Sequence, residues 1–519
     1  MLDRPPEPFC TSDEAQAVDG RPVAGGERSE SSPPTLSAIV RALSWVGAAH
    51  VVGQGFWFGS LIALAALLQP RAFGTVTVGL LMVTVANRLM EAGTRGAIIV
   101  APRLSRRQAM TSLTLNVGTA VLLCGAMALL AGPMVHLFAR GGNPWVLRVL
   151  SFSTLLCGPA IVPLALLEKR FEYGRKSKVQ AGATMIASTV SVVTGVLGAG
   201  VWALVIRQLL FQGLLAMLGL IAARGLFPAP DKRPQAPRWE RLKRQGAVAF
   251  FLFSLTDFIV FNADYLTVGH LTDARQLGLY SLAFTIAFAP VSQFSAQIGG
   301  VLLSAAATSD SETLLRRTLG GVRLTLLVLL PVLPVAIVLA PVAIPAILGD
   351  TWRGMVAPFQ ILIVVGVAHA VINVIGESLA GSGNMGFRAR VNAFWMVGMI
   401  GALILLVHLD GIRGAAEAHL LLYVPVALVY GIWGIRLLGS DSTRLAASLR
   451  NMALPFVVQA AVTGGVVTLL AGAAGVGGAT GVAVGACVGL LAGSIFLAAT
   501  PGAPLREARM FLAAARRRA

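Results

Sequence analysis

Long apolar runs, separated by short polar or charged turns, follow one another along most of the chain. A helix needs about 20 apolar residues to cross the hydrocarbon core of a bilayer. The pattern therefore predicts an all-α polytopic membrane protein with fourteen transmembrane helices. The predicted spans are 45–68, 73–94, 110–138, 146–167, 179–198, 201–223, 247–269, 277–303, 320–348, 356–377, 391–409, 414–437, 453–473 and 479–499.

The basic residues orient these spans, because cytoplasmic loops of membrane proteins hold most of the Lys and Arg. With the N-terminus in the cytoplasm, 33 of the 41 Lys and Arg residues fall on inside segments and six on outside loops. The other two, Arg88 and Arg207, lie within spans. A wrong number of spans would scramble this alternation, so both termini are predicted to be cytoplasmic.

The first twelve spans contain an internal repeat. Short motifs at three equivalent turns recur at separations of 204, 208 and 211 residues. They predict that spans 1 to 6 and 7 to 12 are two copies of a six-helix bundle. An even number of spans makes the copies parallel, which is a known plan of transporters. The repeated pairs are Gly74 and Gly278, Pro133 and Pro341, and Gly200 and Gly411.

The repeat divides the chain into six segments. The polar, Pro-rich start has the composition of a disordered cytoplasmic tail. The basic linker between the bundles has two open interpretations, a segment lying on anionic lipid or a solvated connection. The predicted segments are 1–35 (tail), 36–223 (first bundle), 224–246 (linker), 247–440 (second bundle), 441–500 (helices 13 and 14) and 501–519 (basic cytoplasmic tail).

Composition supports a membrane protein and excludes several other classes. Hydrophobic residues make up 56% of the chain, charged residues only 12%, and the mean hydropathy is +0.77. The net charge of +18 does not indicate a nucleic-acid partner, because the basic residues alternate with apolar runs. Neither a nucleotide-binding GxxxxGK[ST] motif nor metal-ligand spacing is found, so no cofactor and no metal are expected. The four cysteines are widely separated and predict no disulfide.

A few ionisable residues lie at membrane depth, where each costs about 2.5–3.5 kcal/mol, so they are expected to face the bundle interior. Arg88 and Glu91 are three apart and share a helix face. They either pair with each other or line a polar cavity. Arg207 has no neighbouring acid in the sequence and is predicted to bind an anion in a cavity. Asp257 and Asp264 are candidate proton or cation sites, although Asp264 near the outer end is also suited to capping or pairing.

Aromatic residues near these charges have two open interpretations. They either stack against sugar rings in a cavity or form interfacial belts and helix contacts. The residues concerned are Phe56, Trp57, Phe58, Trp202, Tyr265 and Tyr280.

Several motifs, in order from about residue 45 to 440, resemble one branch of a transporter superfamily. They are "LLQPRAFGTVTVGLL", "EAGTRGAIIV", "RLSRRQ", "LEKRFEYGRKSKVQ", "GAGVWALVIRQLL", "NADYLTVGHLTDARQLGLYSLAF" and "ILGDTWRGMVAPFQIL". The chain resembles the polysaccharide export and O-antigen (Wzx-like) flippases of the multidrug/oligosaccharidyl-lipid/polysaccharide exporter superfamily.

The resemblance implies a flippase that carries undecaprenyl-pyrophosphate-linked oligosaccharide repeat units across the bacterial inner membrane by alternating access, and no enzyme activity. It implies that Arg88 and Arg207 bind the pyrophosphate, and that Glu91 occupies the family's acidic turn. Lys169 and Arg170 then guide the headgroup at the inner mouth. A polysaccharide polymerase and a chain-length regulator are implied as candidate partners.

Other functions remain open on the sequence. A multidrug or toxic-compound extruder of the same superfamily would favour acids in its cavity, and its relatives usually have twelve spans. A peptidoglycan-precursor flippase shares fourteen spans, but would be expected to hold more intramembrane basic residues. A membrane glycosyltransferase or polymerase normally has a large outside loop, which this pattern lacks. A scaffold has no need for buried arginines.

Overall fold

The computed structural model describes residues 36–100, 104–228, 262–306 and 310–439, with isolated helical positions between 457 and 491. Every regular element in these ranges is helical, which confirms the predicted all-α fold. Asp257, the two tails, and most of the linker and of the predicted helices 13 and 14 lie outside the described residues.

The helices follow the predicted spans, and most of them begin earlier, α1 and α9 by nine residues. We number them α1 to α12 in chain order. Their bounds are Leu36–Leu67 (α1), Pro70–Val100 (α2), Arg106–Phe138 (α3), Pro144–Lys169 (α4), Tyr173–Val196 (α5), Trp202–Ala223 (α6), 262–271 (the described part of α7), Ala274–Ala306 (α8), Ser311–Leu348 (α9), Val356–Gly381 (α10) and Met385–Val429.

The segment Met385–Val429 consists of two helices, because the backbone leaves helical geometry at Asp410 and Gly411. We call the part before this break α11 and the part after it α12. The chain then continues through a π-helical turn, Tyr430–Gly434, to Leu437. Two short 3₁₀ turns, Arg224–Leu226 and Asp350–Met355, follow α6 and precede α10.

Length and hydropathy identify nine membrane-crossing candidates within the described part of the chain. One of them, Met385–Leu437, contains both α11 and α12, and α1 contributes a shorter apolar segment, Val52–Leu67. Predicted spans 1 to 6 and 8 to 12 therefore each correspond to an observed helix, and α7 corresponds to the outer part of span 7.

Local capping determines where several helices begin. Ser105 and Gln108 form a reciprocal capping box at the start of α3, which satisfies two backbone N–H groups. The Asn143 side chain accepts the N–H of Trp145 at 3.0 Å, and Pro144 occupies the first turn of α4, where no N–H is needed. Asp310 caps α9 by accepting the N–H of Thr313 at 3.2 Å. These caps lie between the apolar runs, so each one ends a turn and starts a span.

Two turns that the predicted repeat makes equivalent have a similar backbone conformation. Gly200, between α5 and α6, has φ of 57°, and Gly411, between α11 and α12, has φ of 55°. Glycine adopts positive φ without the steric cost that a Cβ imposes. In addition, α4 and α10, which are equivalent in the repeat, are the most buried of the membrane-crossing candidates in the described chain. Each half is therefore arranged around its own central helix.

The two halves meet where α2 crosses α8. Gly74 and Gly278 face each other, and a Cβ on either residue would collide with a backbone carbonyl of the opposite helix, that of Ala274 or Pro70. Close approach of helix backbones through small residues is a common way to pack membrane helices. Below this point, the Thr77 hydroxyl donates to the Ser281 hydroxyl at 3.0 Å, again between positions 204 residues apart.

Further contacts between the halves lie at the same end of the bundle. We call this end, which carries the α1–α2, α3–α4, α7–α8 and α9–α10 turns, the outer end, following the predicted orientation. The Trp352 indole N–H donates to the Ala65 carbonyl at 2.8 Å, and the Ala274 N–H donates to the Arg140 carbonyl at 3.2 Å. The outer end is therefore closed by direct contact of the two halves.

We predict that Gly74→Ala weakens the crossing, because its new methyl group overlaps the Ala274 carbonyl. Overpacking of this kind costs about 1–3 kcal/mol. Gly118→Ala is the matched control, since a Cβ there meets no neighbouring atom and alanine favours a helix. Thermal unfolding of the purified protein should show a lower midpoint for Gly74→Ala only. Equal midpoints for both variants would contradict the described crossing.

Candidate functional site

A cavity of about 230 Å³ lies between the halves, on the inner side of the α2–α8 crossing. Helices α1, α2 and α6 of the first half and α7 and α8 of the second half form its wall. Its polar lining consists of hydroxyl, amide and indole groups together with one guanidinium, and the described lining contains no acid. These polar residues are Trp57, Thr77, Thr84, Arg207, Gln208, Asn262, Tyr265, Ser281 and Thr285.

Arg207 provides the positive charge of this cavity. Helix α6 carries it, and α1 supplies its nearest partners. Its guanidinium lies 3.5 Å from the Ser60 hydroxyl and 5.4 Å from the centre of the Trp57 ring. No described carboxylate forms an ion pair with it. Since the hydroxyl contact is long and an aromatic face compensates little charge, Arg207 retains capacity to bind an anion.

Arg88 lies on the same face of α2 as the cavity lining. Thr77, Leu81 and Thr84 line the cavity, and Arg88 follows at helical spacing, one turn or about 6 Å closer to the inner end. Its side chain is exposed. The alternative pairing of Arg88 with Glu91 is not observed, because Glu91 forms its ion pair with Arg95 at 3.6 Å. Helical spacing therefore places Arg88 on the cavity-facing side of α2, one turn inward of the lining, while Arg207 lies in the cavity wall itself.

The inner end of the first half contains a charge cluster around Glu168, the last acid of α4. Arg95 donates two hydrogen bonds to its carboxylate, at 2.8 and 3.0 Å, and Lys176 of α5 also pairs with it. The Glu168 side chain is only 8% exposed, so it needs these partners. The hydrogen bond with Glu168 raises the pKa of Arg95 above its ordinary value. The cluster joins α2, α4 and α5 at the membrane boundary.

The predicted inner-mouth residues lie directly beside this cluster but differ from each other. Lys169 donates to the carbonyl of Ile98 at 2.9 Å and is partly buried, so it holds α4 against α2. Arg170 is exposed after the end of α4. Sequence reasoning singled out both basic residues and overlooked Glu168, although the same motif, "LEKRFEY", contains it.

The second half repeats this arrangement. Glu377, near the inner end of α10, pairs with Arg388 of α11 at 3.1 Å. Gly299 of α8 lies against Glu377, where a Cβ would come within 2.8 Å of its side chain. Each half therefore carries an acid near the inner end of its central helix, paired with a base on the following helix. The described ion pairs at this end stay within one half, unlike the contacts at the outer end.

Asp264 lies in a fully buried network of the second half. The Tyr280 hydroxyl donates to its Oδ2 at 2.9 Å, and the N–H of Tyr265 donates to Oδ1 at 2.8 Å. His419 of α12 places Nε2 3.3 Å from the same Oδ2, and its Nδ1 has no hydrogen-bond partner among the described residues. Asp264 thus joins α7, α8 and α12 rather than capping a helix end.

Sequence reasoning did not single out His419, because a histidine within an apolar span is visible only as an isolated polar residue. Aromatic rings surround the network, including Phe284, Phe288 and Tyr423. Of the aromatics expected near a cavity, Trp57 and Tyr265 line it, whereas Tyr280 is fully buried. Phe56 and Trp202 are exposed, and Phe58 is partly exposed without lining this cavity.

The fold defines the class of the protein as an all-helical, multi-pass membrane protein with a polar cavity between its two halves. The fold is similar to that of the lipid II flippase MurJ in an inward closed conformation, with a TM-score of 0.68 and 10% identity over 87% of this chain and 97% of that one. It is also similar to an inward-facing multidrug resistance MATE family transporter of the MOP superfamily, with a TM-score of 0.58 and 18% identity over 74% and 95% of the two chains.

Residues 63–357 match the model of the family described as polysaccharide biosynthesis protein, and the chain belongs to this family. Among its relatives, the lipopolysaccharide biosynthesis protein WzxC of Escherichia coli K12 is 23% identical over 81% of this chain and 85% of the relative. The teichuronic acid biosynthesis protein TuaB of Bacillus subtilis is 23% identical over 72% and 77%. The resemblance to the polysaccharide flippase branch is confirmed.

We predict that Glu168→Gln destabilises the protein, since it leaves Arg95 and Lys176 without their carboxylate. Losing one partner of a buried hydrogen-bonded group costs about 1–3 kcal/mol. Glu172→Gln is a suitable control, because Glu172 pairs with Arg175 at 3.5 Å on an exposed surface. The thermal midpoint should fall clearly for Glu168→Gln and hardly for Glu172→Gln. A similar midpoint for the two variants would refute the structural role of Glu168.

Proposed function

We propose that this protein is a flippase for undecaprenyl-pyrophosphate-linked oligosaccharide repeat units, acting in bacterial polysaccharide biosynthesis. The observation that carries the proposal is Arg207, whose guanidinium faces the cavity between the halves without a described carboxylate partner. Membership of the polysaccharide biosynthesis family and the names of its relatives support it. The protein is a transporter and has no enzyme activity in this proposal.

The chemistry of the cavity suits such a substrate. A pyrophosphate carries negative charge, and a guanidinium binds its oxygens by charge-assisted hydrogen bonds. Arg88 meets the pyrophosphate first from the inner end, and Arg207 then holds it at the cavity. The hydroxyl and amide groups of Thr84, Gln208 and Asn262 provide partners for sugar hydroxyls. An extruder of cationic drugs would favour an acid here, and the described lining offers none.

The charged residues at the inner end have distinct roles in this proposal. Arg170, exposed beyond α4, attracts the pyrophosphate headgroup electrostatically. Lys169 and Glu91 contribute to substrate entry indirectly. Lys169 holds α2 through the carbonyl of Ile98, and Glu91 pairs with Arg95. These contacts form the entrance that the substrate passes.

Transport proceeds by alternating access in the bacterial inner membrane, with both termini in the cytoplasm. In the described conformation the outer end is closed by the Gly74–Gly278 contact, while the inner ion pairs remain within each half. Rocking of the halves would separate the outer contacts and bring the inner ends together. A polysaccharide polymerase and a chain-length regulator are the proposed partners at the outer face.

We predict that Arg207→Ala and Arg88→Ala each abolish polysaccharide export while the protein still inserts into the membrane. The physical reason is the loss of the counter-charge for pyrophosphate. Arg207→Lys should retain part of the activity, since it keeps the charge but loses the planar fork. Arg353→Ala is the control, because Arg353 is exposed and paired with Asp350.

The measurement is surface polysaccharide in a deletion strain complemented with each variant, together with lipid-linked repeat units in the inner membrane. Repeat units should accumulate with both alanine variants. Normal export from both of them would refute the proposal, and new sensitivity to cationic drugs on deletion would favour the extruder instead.

We propose the buried network of Asp264, Tyr280 and His419 as the ion-coupling site, with a proton as the coupling ion. It combines a carboxylate with an imidazole inside the second half, and it joins the three helices α7, α8 and α12. A proton gained or lost there changes the charge of the network and therefore how these helices pack. Asp257, on the same predicted span, is a second candidate from the sequence.

We predict that Asp264→Asn uncouples transport from the proton gradient, because the amide keeps the shape and cannot titrate. In proteoliposomes, an imposed proton gradient should accelerate flipping of a lipid-linked oligosaccharide by the original protein but not by the variant. Asp310→Asn, which alters an exposed helix cap, should respond to the gradient as before. An equal response of Asp264→Asn would exclude this residue as the coupling site.

A further inference from the structure

A second cavity, of about 450 Å³, lies at the outer end, on the far side of the Gly74–Gly278 crossing. We call it the outer basin. Arg71 in the first turn of α2, Arg140 of the α3–α4 turn and Arg275 in the first turn of α8 line it, together with Asp273, Gln69 and Thr351. Three guanidinium groups, two from helix starts and one from an interhelical turn, therefore line one open space.

The charge of the outer basin is only partly neutralised within the described part of the chain, because its lining holds three guanidinium groups and one carboxylate, that of Asp273. The carboxylate of Asp273 accepts the N–H of Gln276 at 2.8 Å and so caps α8. Arg71 donates to the carbonyl of Gly141, which fixes its position without compensating its charge. None of the three arginines forms an ion pair with a described residue.

The other arginines at the outer end each have a partner side chain. Arg353 pairs with Asp350 at 3.0 Å, and Arg413 pairs with Glu417 at 2.9 Å. Arg148 stacks on the Trp145 ring, with 4.7 Å between its Cζ and the ring centre. Unpaired outer arginines are therefore concentrated at the basin. Because the paired ones lie elsewhere on the same face, they provide natural controls.

Two of the three basin arginines occupy equivalent positions in the two halves. Arg71 and Arg275 are 204 residues apart, the same separation as Gly74 and Gly278. They therefore occupy equivalent places, one on each side of the crossing. Both α2 and α8 begin here, and the N-terminal ends of helices add positive potential. An anion bound between Arg71 and Arg275 would contact both halves at once.

We propose that the outer basin is a binding site for a phosphate or diphosphate group, and that its ligand is the pyrophosphate of the transported lipid after it has crossed. This assignment rests on the proposed flippase function and adds a second site, on the side of release. Because the site draws on both halves, its ligand binds best when the outer end is closed. A pyrophosphate captured there closes the outer end and prevents the substrate from returning to the central cavity.

The experiment measures binding to the purified full-length protein in nanodiscs. All proteins tested carry Arg88→Ala and Arg207→Ala, which removes the arginines of the central path. The probes are farnesyl diphosphate, a soluble lipid-linked diphosphate, and inorganic phosphate. We expect farnesyl diphosphate to bind, and the added pair Arg71→Gln with Arg275→Gln to weaken its affinity at least tenfold. The added pair Arg353→Gln with Arg413→Gln should leave the affinity unchanged.

The single variants Arg275→Gln and Arg140→Gln guard against misfolding of the double variant, because neither side chain makes a described structural hydrogen bond. Each should weaken binding by itself. Absence of farnesyl diphosphate binding, or equal affinity in the basin variants, would overturn the site. Equal affinity for inorganic phosphate would assign the basin to free phosphate and overturn the substrate assignment. Failure of the flippase proposal would appear separately, as normal export from Arg207→Ala and Arg88→Ala.

Discussion

The contact of α2 with α8 through Gly74 and Gly278 organises the rest of the molecule. Two helix backbones touch there because neither residue carries a side chain. The contact separates the space between the halves into two chambers, a central cavity on the inner side and a basin on the outer side. Every polar group proposed to handle the substrate lies in one of these chambers or on the path into them. The crossing therefore closes the central cavity toward the outer side of the molecule.

Charges in this protein fall into two groups with different consequences. Glu168 with Arg95 and Lys176, and Glu377 with Arg388, are compensated pairs that hold helices of one half together. Such pairs avoid most of the cost of an isolated charge near the membrane. Arg207 lacks a described acidic partner, and its charge is directed toward open space. In the proposed function both groups are needed. The compensated pairs keep each half rigid, and the uncompensated charge of Arg207 remains available to bind an anion.

The fold could be predicted from the sequence to a large extent, whereas the site could be predicted only in part. Span positions depend on runs of apolar residues, and runs of about 20 residues in lipid satisfy their backbone hydrogen bonds as helices. Arg207 was identified because a lone charge in an apolar run is conspicuous. The partners of Asp264 could not be identified in this way, because His419 lies 155 residues from Asp264 and no local sequence pattern connects these two residues. Glu168 was overlooked beside Lys169 because burial is invisible in a motif.

The repeat has a consequence for the origin of the chain. At the crossing of α2 with α8, Gly74 meets Gly278 and Thr77 meets Ser281, so the two halves meet there through equivalent positions. An interface in which one patch binds its own equivalent is isologous, the type that joins the subunits of two-fold symmetric homodimers. A six-helix ancestor would already have possessed this self-complementary patch. Duplication and fusion of its gene would then have turned a dimer into one chain, leaving each half free to acquire its own chemistry: the arginine path in the first and the buried Asp264 network in the second.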